Sequence, residues 1–337
     1  MTRRSEAPEP LRFRSVLLPL DGSPFAEQAI PWATAIARKA RARLRLVLVH
    51  QPPFPPPLDE NNLRLYTKIE LAVKKSEREY LHRVAARIRE AGAIQLATAH
   101  LSGSPAPALA DYAREVGPDL VVMTTHGRGG LQRVWLGSVA DQLVRSLDVP
   151  VLLVRPEEVA PVQRVPVLEE ILVPLDGSRW AEAALPPALG VAKLFGARLG
   201  LVQVVPPVAL LLDAPVIPQS LDEELMALQR REAQDYLDDI ADRISGQGMV
   251  SRASSVLAGN ALAGIQAAAA GPGVGMIALA THGRGGLRRL AVGSVTDKLV
   301  RTGDLPVVVT RPRGKLGSGR GLRRRRRGRP ARRLRLE

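Results

Sequence analysis

The chain has 337 residues, 45% of them hydrophobic, 24% charged and none cysteine. That is enough apolar material for two ordinary cores, and it excludes disulfides, thiolate metal sites and cysteine nucleophiles. Lys and Arg (48) outnumber Asp and Glu (33) by 15, but residues 313–337 hold 12 of the basic residues against one acid, which leaves residues 1–312 with only +4.

No run reaches the roughly 18 apolar residues of a membrane-spanning helix, so no transmembrane segment is expected. The opening MTRRSEAPEPLRFRS lacks the apolar centre of a secretory signal, and a cytoplasmic location is expected. Residues 1–13 are polar and proline-containing and read as a flexible N-terminus. SVLLPL, Ser15 to Leu20, is a buried strand ended by Asp21-Gly22-Ser23-Pro24. Ser23 suits an N-cap and Pro24 a first helical position. Ala29, Ile30, Ala33, Ile36 and Ala37 then form a helical stripe. LRLVLVH, Leu44 to His50, is a second strand, and the proline-rich stretch from Pro52 to Pro57 is loop. A long charged helix spans Asn62 to Ala91. A third strand covers Leu96 to Leu101, a helix Pro107 to Glu115, a fourth strand Asp119 to Thr124, and a fifth Val149 to Val154.

Residues 157–168 read as a linker, and the order then repeats. ILVPL, Ile171 to Leu175, leads into Asp176-Gly177-Ser178. Strands follow at Leu199 to Val205, Ser254 to Leu257, Met276 to Ala280 and Leu305 to Thr310, with helices near Ser220 to Ile244 and Ala261 to Ala270. Apolar strands alternating with helices imply two tandem doubly wound α/β domains, residues 14–156 and 169–312, with parallel sheets covered on both faces. Residues 313–337 are an Arg-rich tail without hydrophobic periodicity, expected to be disordered.

The repeat is plainest in THGRGGLQRVWLGSVADQLVR, from Thr125, and THGRGGLRRLAVGSVTDKLVR, from Thr281. Each follows a strand and leads into a helix. Glycines allow close backbone approach to a ligand, and a helix start offers N–H groups and a positive dipole end, so the segment suits a phosphate. Parallel sheets of this kind bind ligands at the carboxyl ends of their strands, where the Asp21 and Asp176 turns also lie. An Asx turn alone would also explain either aspartate. Neither a Walker loop nor a GxGxxG fingerprint is present. His126 and His282 have no evident acid or nucleophile partner and read as structural. His50 has no second copy, Gln203 being taken as its counterpart.

These residues resemble the universal stress proteins in tandem form. The family's Gly-x-x-Gly, nine residues, Gly-Ser/Thr spacing appears as Gly127 with Gly137-Ser138 and as Gly283 with Gly293-Ser294; its Pro-x-Asp-Gly-Ser opening appears at Pro19 and at Pro174. The resemblance implies a five-stranded parallel sheet of order 3-2-1-4-5 in each half, packed as an intramolecular pseudo-dimer, with a homodimer as a further state. It implies ATP, or a related adenine nucleotide, as ligand. Pro19, Leu20 and Asp21, like Pro174, Leu175 and Asp176, would meet the ribose or a phosphate-bound metal such as Mg2+. Backbone near Gln51 and Val204 would meet adenine. Met123, Thr124, Leu279 and Ala280 would end the strands beneath the phosphates. Around the phosphates themselves would stand Gly127, Arg128, Gly137, Ser138 and Val139 in one half. In the other they would be Gly283, Arg284, Gly293, Ser294, Val295 and Thr296. Arg128 and Arg284 could equally be solvated. The family's first glycine is Thr124 in one copy and Ala280 in the other, a departure that bears on affinity and not on fold.

The expected function is a nucleotide-dependent stress-response regulator, non-catalytic or weakly hydrolytic. The alternative is an interaction protein with vestigial sites whose tail binds nucleic acid or another polyanion through counterion release. A true enzyme is the weakest reading, since no carboxylate pair or base–nucleophile pair accompanies the loops.

Overall fold

Half one runs β1 (Ser15–Leu20), α1 (Pro24–Glu27), α2 (Ile30–Ala40), β2 (Arg43–His50), α3 (Glu60–Glu90), β3 (Gln95–Ser102), α4 (Pro105–Val116), β4 (Leu120–Thr124), α5 (Ser138–Ser146) and β5 (Val151–Val154). Half two runs β6 (Glu170–Pro174), a 3-10 turn (Ala181–Ala184), α6 (Leu185–Phe195), β7 (Arg198–Val205), α7 (Gln219–Ser245), β8 (Ser251–Ala258), α8 (Ala261–Ala269), β9 (Val274–Ala280), α9 (Ser294–Thr302) and β10 (Val307–Thr310). The computed structural model describes residues 7–52, 60–125, 136–156, 166–207, 219–246, 251–281 and 294–312. The linker at 157–165 and the Arg-rich tail at 313–337 lie outside the described residues.

The ten strands make one sheet, β3-β2-β1-β4-β5-β10-β9-β6-β7-β8. Each half has the order 3-2-1-4-5 and is parallel throughout. The two halves meet antiparallel, with Val307 opposite Leu153, Val308 opposite Leu152 and Val309 opposite Val151. The expected pseudo-dimer is therefore a single continuous sheet, with β3 and β8 as its outer strands.

Successive strand residues point to opposite faces, and here both faces are buried. Val16, Leu18 and Leu20 of β1 join one core with α2, α3, α6 and α7; Leu17 joins the other with α4, α5, α8 and α9. Each core contains residues of both halves. At the join Leu152 and Val308 face one core while Leu153 and Val307 face the other.

Two reciprocal arginines reinforce the join. Arg155 Nη1 donates to Gly303 O (2.7 Å), just past α9, and Arg311 Nη1 donates to Arg145 O (2.8 Å) in the last turn of α5. Each places a cation at a helix carboxyl end, where the dipole favours it.

The structure departs from the sequence reading near the N-terminus. Residues 11–13 were expected to be loose, yet the Leu11 N–H donates to Pro186 O (2.8 Å) and Phe13 is buried. The alternation Leu-Arg-Phe gives the segment an apolar side to lay on α6. Gly190 of α6 lets it approach, since a Cβ there would stand 2.4 Å from Leu11 O. The helix expected after Ser23 also divides in two at Gln28 and Ala29, where α2 restarts with Pro31 in its first turn.

Candidate functional site

The last residues of β1 and β4, adjacent parallel strands, sit side by side at the carboxyl edge of half one. This is the switch point of the 3-2-1-4-5 order, because the connection after β1 leads to one side of the sheet and the chain after β4 leads to the other. Pro19 and Leu20 are the final residues of β1, and Asp21 follows in the turn. Met123 and Thr124 end β4, both buried. Half two repeats this with Pro174, Leu175 and Asp176 beside Leu279 and Ala280.

The Asp-Gly-Ser turn makes the same backbone bond to its aspartate in both halves. Asp21 Oδ1 accepts from the Ser23 N–H (2.9 Å) and the Ser23 hydroxyl (2.7 Å), and that hydroxyl in turn caps the Ala26 N–H (3.1 Å). Asp176 Oδ1 accepts from the Ser178 N–H (2.9 Å), and Ser178 Oγ from the Ala181 N–H (3.2 Å). Gly22 (φ 83°) and Gly177 (φ 79°) take the left-handed conformation that this turn requires. The aspartates therefore do fill the turn role that the sequence allowed them.

After β4 the chain returns at Gly137, whose N–H donates to Thr125 O (2.8 Å). That bond commits the Gly137 N–H and pins the start of α5 over the end of β4. Gly137 is the N-cap of α5, without a side-chain cap, and Ser138 is exposed. The first turn of α5, with Ser138 and Val139, thus presents its N–H groups at the same edge as Asp21. In half two Ser294, Val295 and Thr296 open α9. There the Thr296 hydroxyl donates to Ala280 O (2.9 Å), where half one has the buried apolar Ala140. Gly127, Arg128, Gly283, Arg284 and Gly293, with His126 and His282, lie outside the described residues.

Gln51 follows β2 and is exposed, while Val204 is the penultimate residue of β7. They are not equivalent in the sheet, because β2 and β7 align with His50 against Val205. Gly103 N–H donates to His50 O and Gly259 N–H to Val205 O. The pairing of His50 with Gln203 is corrected in the same way: Gln203 matches Leu48. The spacing between halves is 155 through the second strand and 156 beyond the long helix, and a single offset blurs the difference.

A second repeated cluster escaped the sequence reading. Arg87 of α3 pairs with Glu27 of α1, and Arg243 of α7 pairs with Glu182 (3.4 Å). Tyr236 Oη lies 3.5 Å from Glu182. Burial, then the charge of Glu27, pushes the Tyr80 phenol well above its ordinary value; burial, then Glu182, does the same for Tyr236. Asp21 and Asp176 add to these effects, so each phenol lies within electrostatic reach of its candidate site. The four acidic and basic members read as solvated helix charges until the two halves are superimposed.

The fold and its edges define a tandem α/β protein with two doubly wound units, each opening on a Pro-Leu-Asp-Gly-Ser turn and carrying a helix start after its fourth strand. The profile of the universal stress protein family matches residues 12–155 and 168–311, and the chain belongs to that family. A universal stress protein of Mycobacterium tuberculosis is 28% identical over 315 residues, 88% of this chain and 94% of the relative. One from Methanocaldococcus jannaschii is 31% identical over 144 residues, 42% of this chain and 82% of the relative. The crystal structure of a universal stress protein from Archaeoglobus fulgidus superposes with a TM-score of 0.62 at 18% identity, over 88% of this chain and 98% of that one, a likeness of fold.

Proposed function

We propose that the chain binds an adenine nucleotide, ATP in the first instance, at the carboxyl edge of each half, and acts as a nucleotide-dependent regulator in the stress response without substantial turnover. One observation carries the reading: twice in one chain, an aspartate turn and a helix start converge at the switch point of a doubly wound sheet. The chemistry suits a nucleoside triphosphate. A helix N-terminus favours phosphate, and an aspartate carboxylate is a hard oxygen donor fit for Mg2+ carried by the phosphates. Half one offers the Ser138 hydroxyl as a further donor.

The test is equilibrium binding of labelled ATP to the full chain and to Asp21→Asn plus Asp176→Asn. Asparagine keeps the Oδ1 acceptor of the turn and removes the charge. Weaker binding by the variant, with an unchanged fold, is expected. No binding by the native chain at millimolar ATP would refute the nucleotide reading.

The second reading, polyanion binding through residues 313–337, is favoured by the 12 basic residues against one acid in that segment. The two readings are compatible, since that segment lies outside both family domains.

A further inference from the structure

At the carboxyl ends of their second and third strands the halves differ in chemistry. His50, the last residue of β2, has no solvent exposure. Its Nδ1 is 2.9 Å from Glu77 Oε2, and its Nε2 is 3.2 Å from Glu70 Oε1. His100 of β3 places Nε2 2.8 Å from the same Glu77 oxygen. Lys74 Nζ closes the group, 3.1 Å from Glu70. In half two the equivalent positions are Val205 for His50, Met226 for Glu70, Ala233 for Glu77 and Val256 for His100; Arg230 stands for Lys74. Four of the five positions that are ionisable in one half are apolar in the other.

A carboxylate can only accept, so each of the three imidazole contacts requires a proton on the ring nitrogen. His100 supplies one as a neutral imidazole protonated on Nε2. His50 must supply two, which makes it an imidazolium. The charges then balance, His50 and Lys74 against Glu70 and Glu77. Removing the His50 proton aims a lone pair of a fully buried ring at a carboxylate, and leaves one negative charge in excess.

Among the described residues the surrounding groups are few. α3 contributes Tyr66, Glu70, Lys74 and Glu77; β3 contributes His100; β1, on the other side of β2, ends in Leu20 with Asp21 beyond. Among the described residues no group of three or more His, Cys, Asp or Glu side chains could hold a metal ion. Buried ion pairs seldom stabilise more than a well-packed apolar set, and half two carries Val205, Met226, Ala233 and Val256 at the corresponding positions. Stability alone does not explain the network.

We propose that the His50–Glu70–Glu77–His100 network is a proton-operated clasp that fixes α3 on the carboxyl edge of half one and makes that edge responsive to pH. The clasp closes when His50 is protonated and both glutamates are ionised. It opens as pH rises and His50 loses its proton. It opens again at acid pH as the glutamates protonate. Lys74 first and then His50 hold the Glu70 carboxyl below the usual range. Gln51 follows His50 directly, so an open clasp loosens the segment expected to meet adenine; this last consequence rests on the nucleotide reading above.

The test is hydrogen exchange of the full chain, resolved by mass spectrometry between about pH 6 and about pH 9 and corrected for intrinsic rates. Protection of residues 66–80 is expected to fall about tenfold as pH rises, the scale of one lost charge-assisted hydrogen bond. The matching segment of α7, residues 222–236, provides the internal control and is expected to stay level. The variant His50→Val, Glu70→Met, Glu77→Ala, His100→Val carries half two's own set and is expected to fold and to lose the pH dependence. Equal responses of α3 and α7, persistence of the response in the variant, or its abolition by a chelator would each overturn the clasp. Labelled ATP binding across the same range is read separately. A pH-dependent α3 with no ATP bound sinks the nucleotide reading and leaves the clasp standing.

Discussion

Gly190→Ala inverts the usual expectation for a glycine within a helix. Elsewhere the change stabilises by about 0.5–1 kcal/mol, because alanine is the better helix former. Here the new Cβ would lie 2.4 Å from the Leu11 carbonyl oxygen and 3.0 Å from the Phe13 ring. A backbone oxygen cannot be moved by a rotamer change, so the whole N-terminal segment must shift. Overpacking of this kind costs about 1–3 kcal/mol, and losing the Leu11–Pro186 hydrogen bond adds about 1 kcal/mol. Against the helix gain, the net destabilisation is about 1–3 kcal/mol. The assay is urea unfolding followed by circular dichroism and by tryptophan fluorescence, Trp32 being 6.3 Å from Phe195 at the end of the same helix. In a chain starting at Arg14 the obstacle is gone, and the same substitution is expected to stabilise by about 0.5–1 kcal/mol. The same sign in both backgrounds would refute the assignment of residues 11–13 to the face of α6.

Tyr80 and Tyr236 are held neutral by burial and by Glu27 and Glu182. Their contribution to stability is complete below the ordinary phenol value of about 10 and declines as pH rises above it, because the unfolded chain then ionises while the folded one resists; Tyr80→Phe plus Tyr236→Phe is expected to flatten the alkaline limb of the thermal unfolding midpoint. Removal of residues 313–337 is expected to abolish retention on an immobilised polyanion at low salt and to leave the unfolding midpoint unchanged. Retention that survives the truncation would place any polyanion surface on the folded body.

The segments most legible in the sequence were those whose local chemistry repeats. Pro-Leu-Asp-Gly-Ser at Pro19 and at Pro174 announces a strand and a turn needing positive φ, which the structure builds in both halves, and at Pro19 a helix capped by Ser23. The join was not legible. Val149 to Val154 and Leu305 to Thr310 read as buried strands, but an apolar strand does not state its partner, and the antiparallel pairing of β5 with β10 depends on the whole of both halves. The Glu70 and Glu77 network was hidden differently. On a long charged helix these residues look like a solvated face, and their partners His50 and His100 come from two strands far away in sequence. The signal that could have found them is a comparison of the halves in correct register, where four polar residues meet Val205, Met226, Ala233 and Val256.

The antiparallel join also sets the directions in which the chain can reach. All strands of half one point one way and all strands of half two the other, so the edge beyond Asp21 and the edge beyond Asp176 open on opposite ends of the sheet. Five strand spacings and one strand length separate them, on the order of 30 Å. No compact ligand can bridge that span, so occupancy of one mouth cannot raise the local concentration at the other. Whatever engages both must be long, or must be two bodies held apart. The fusion of the halves thus gives the molecule the geometry of a spacer with two opposed ends.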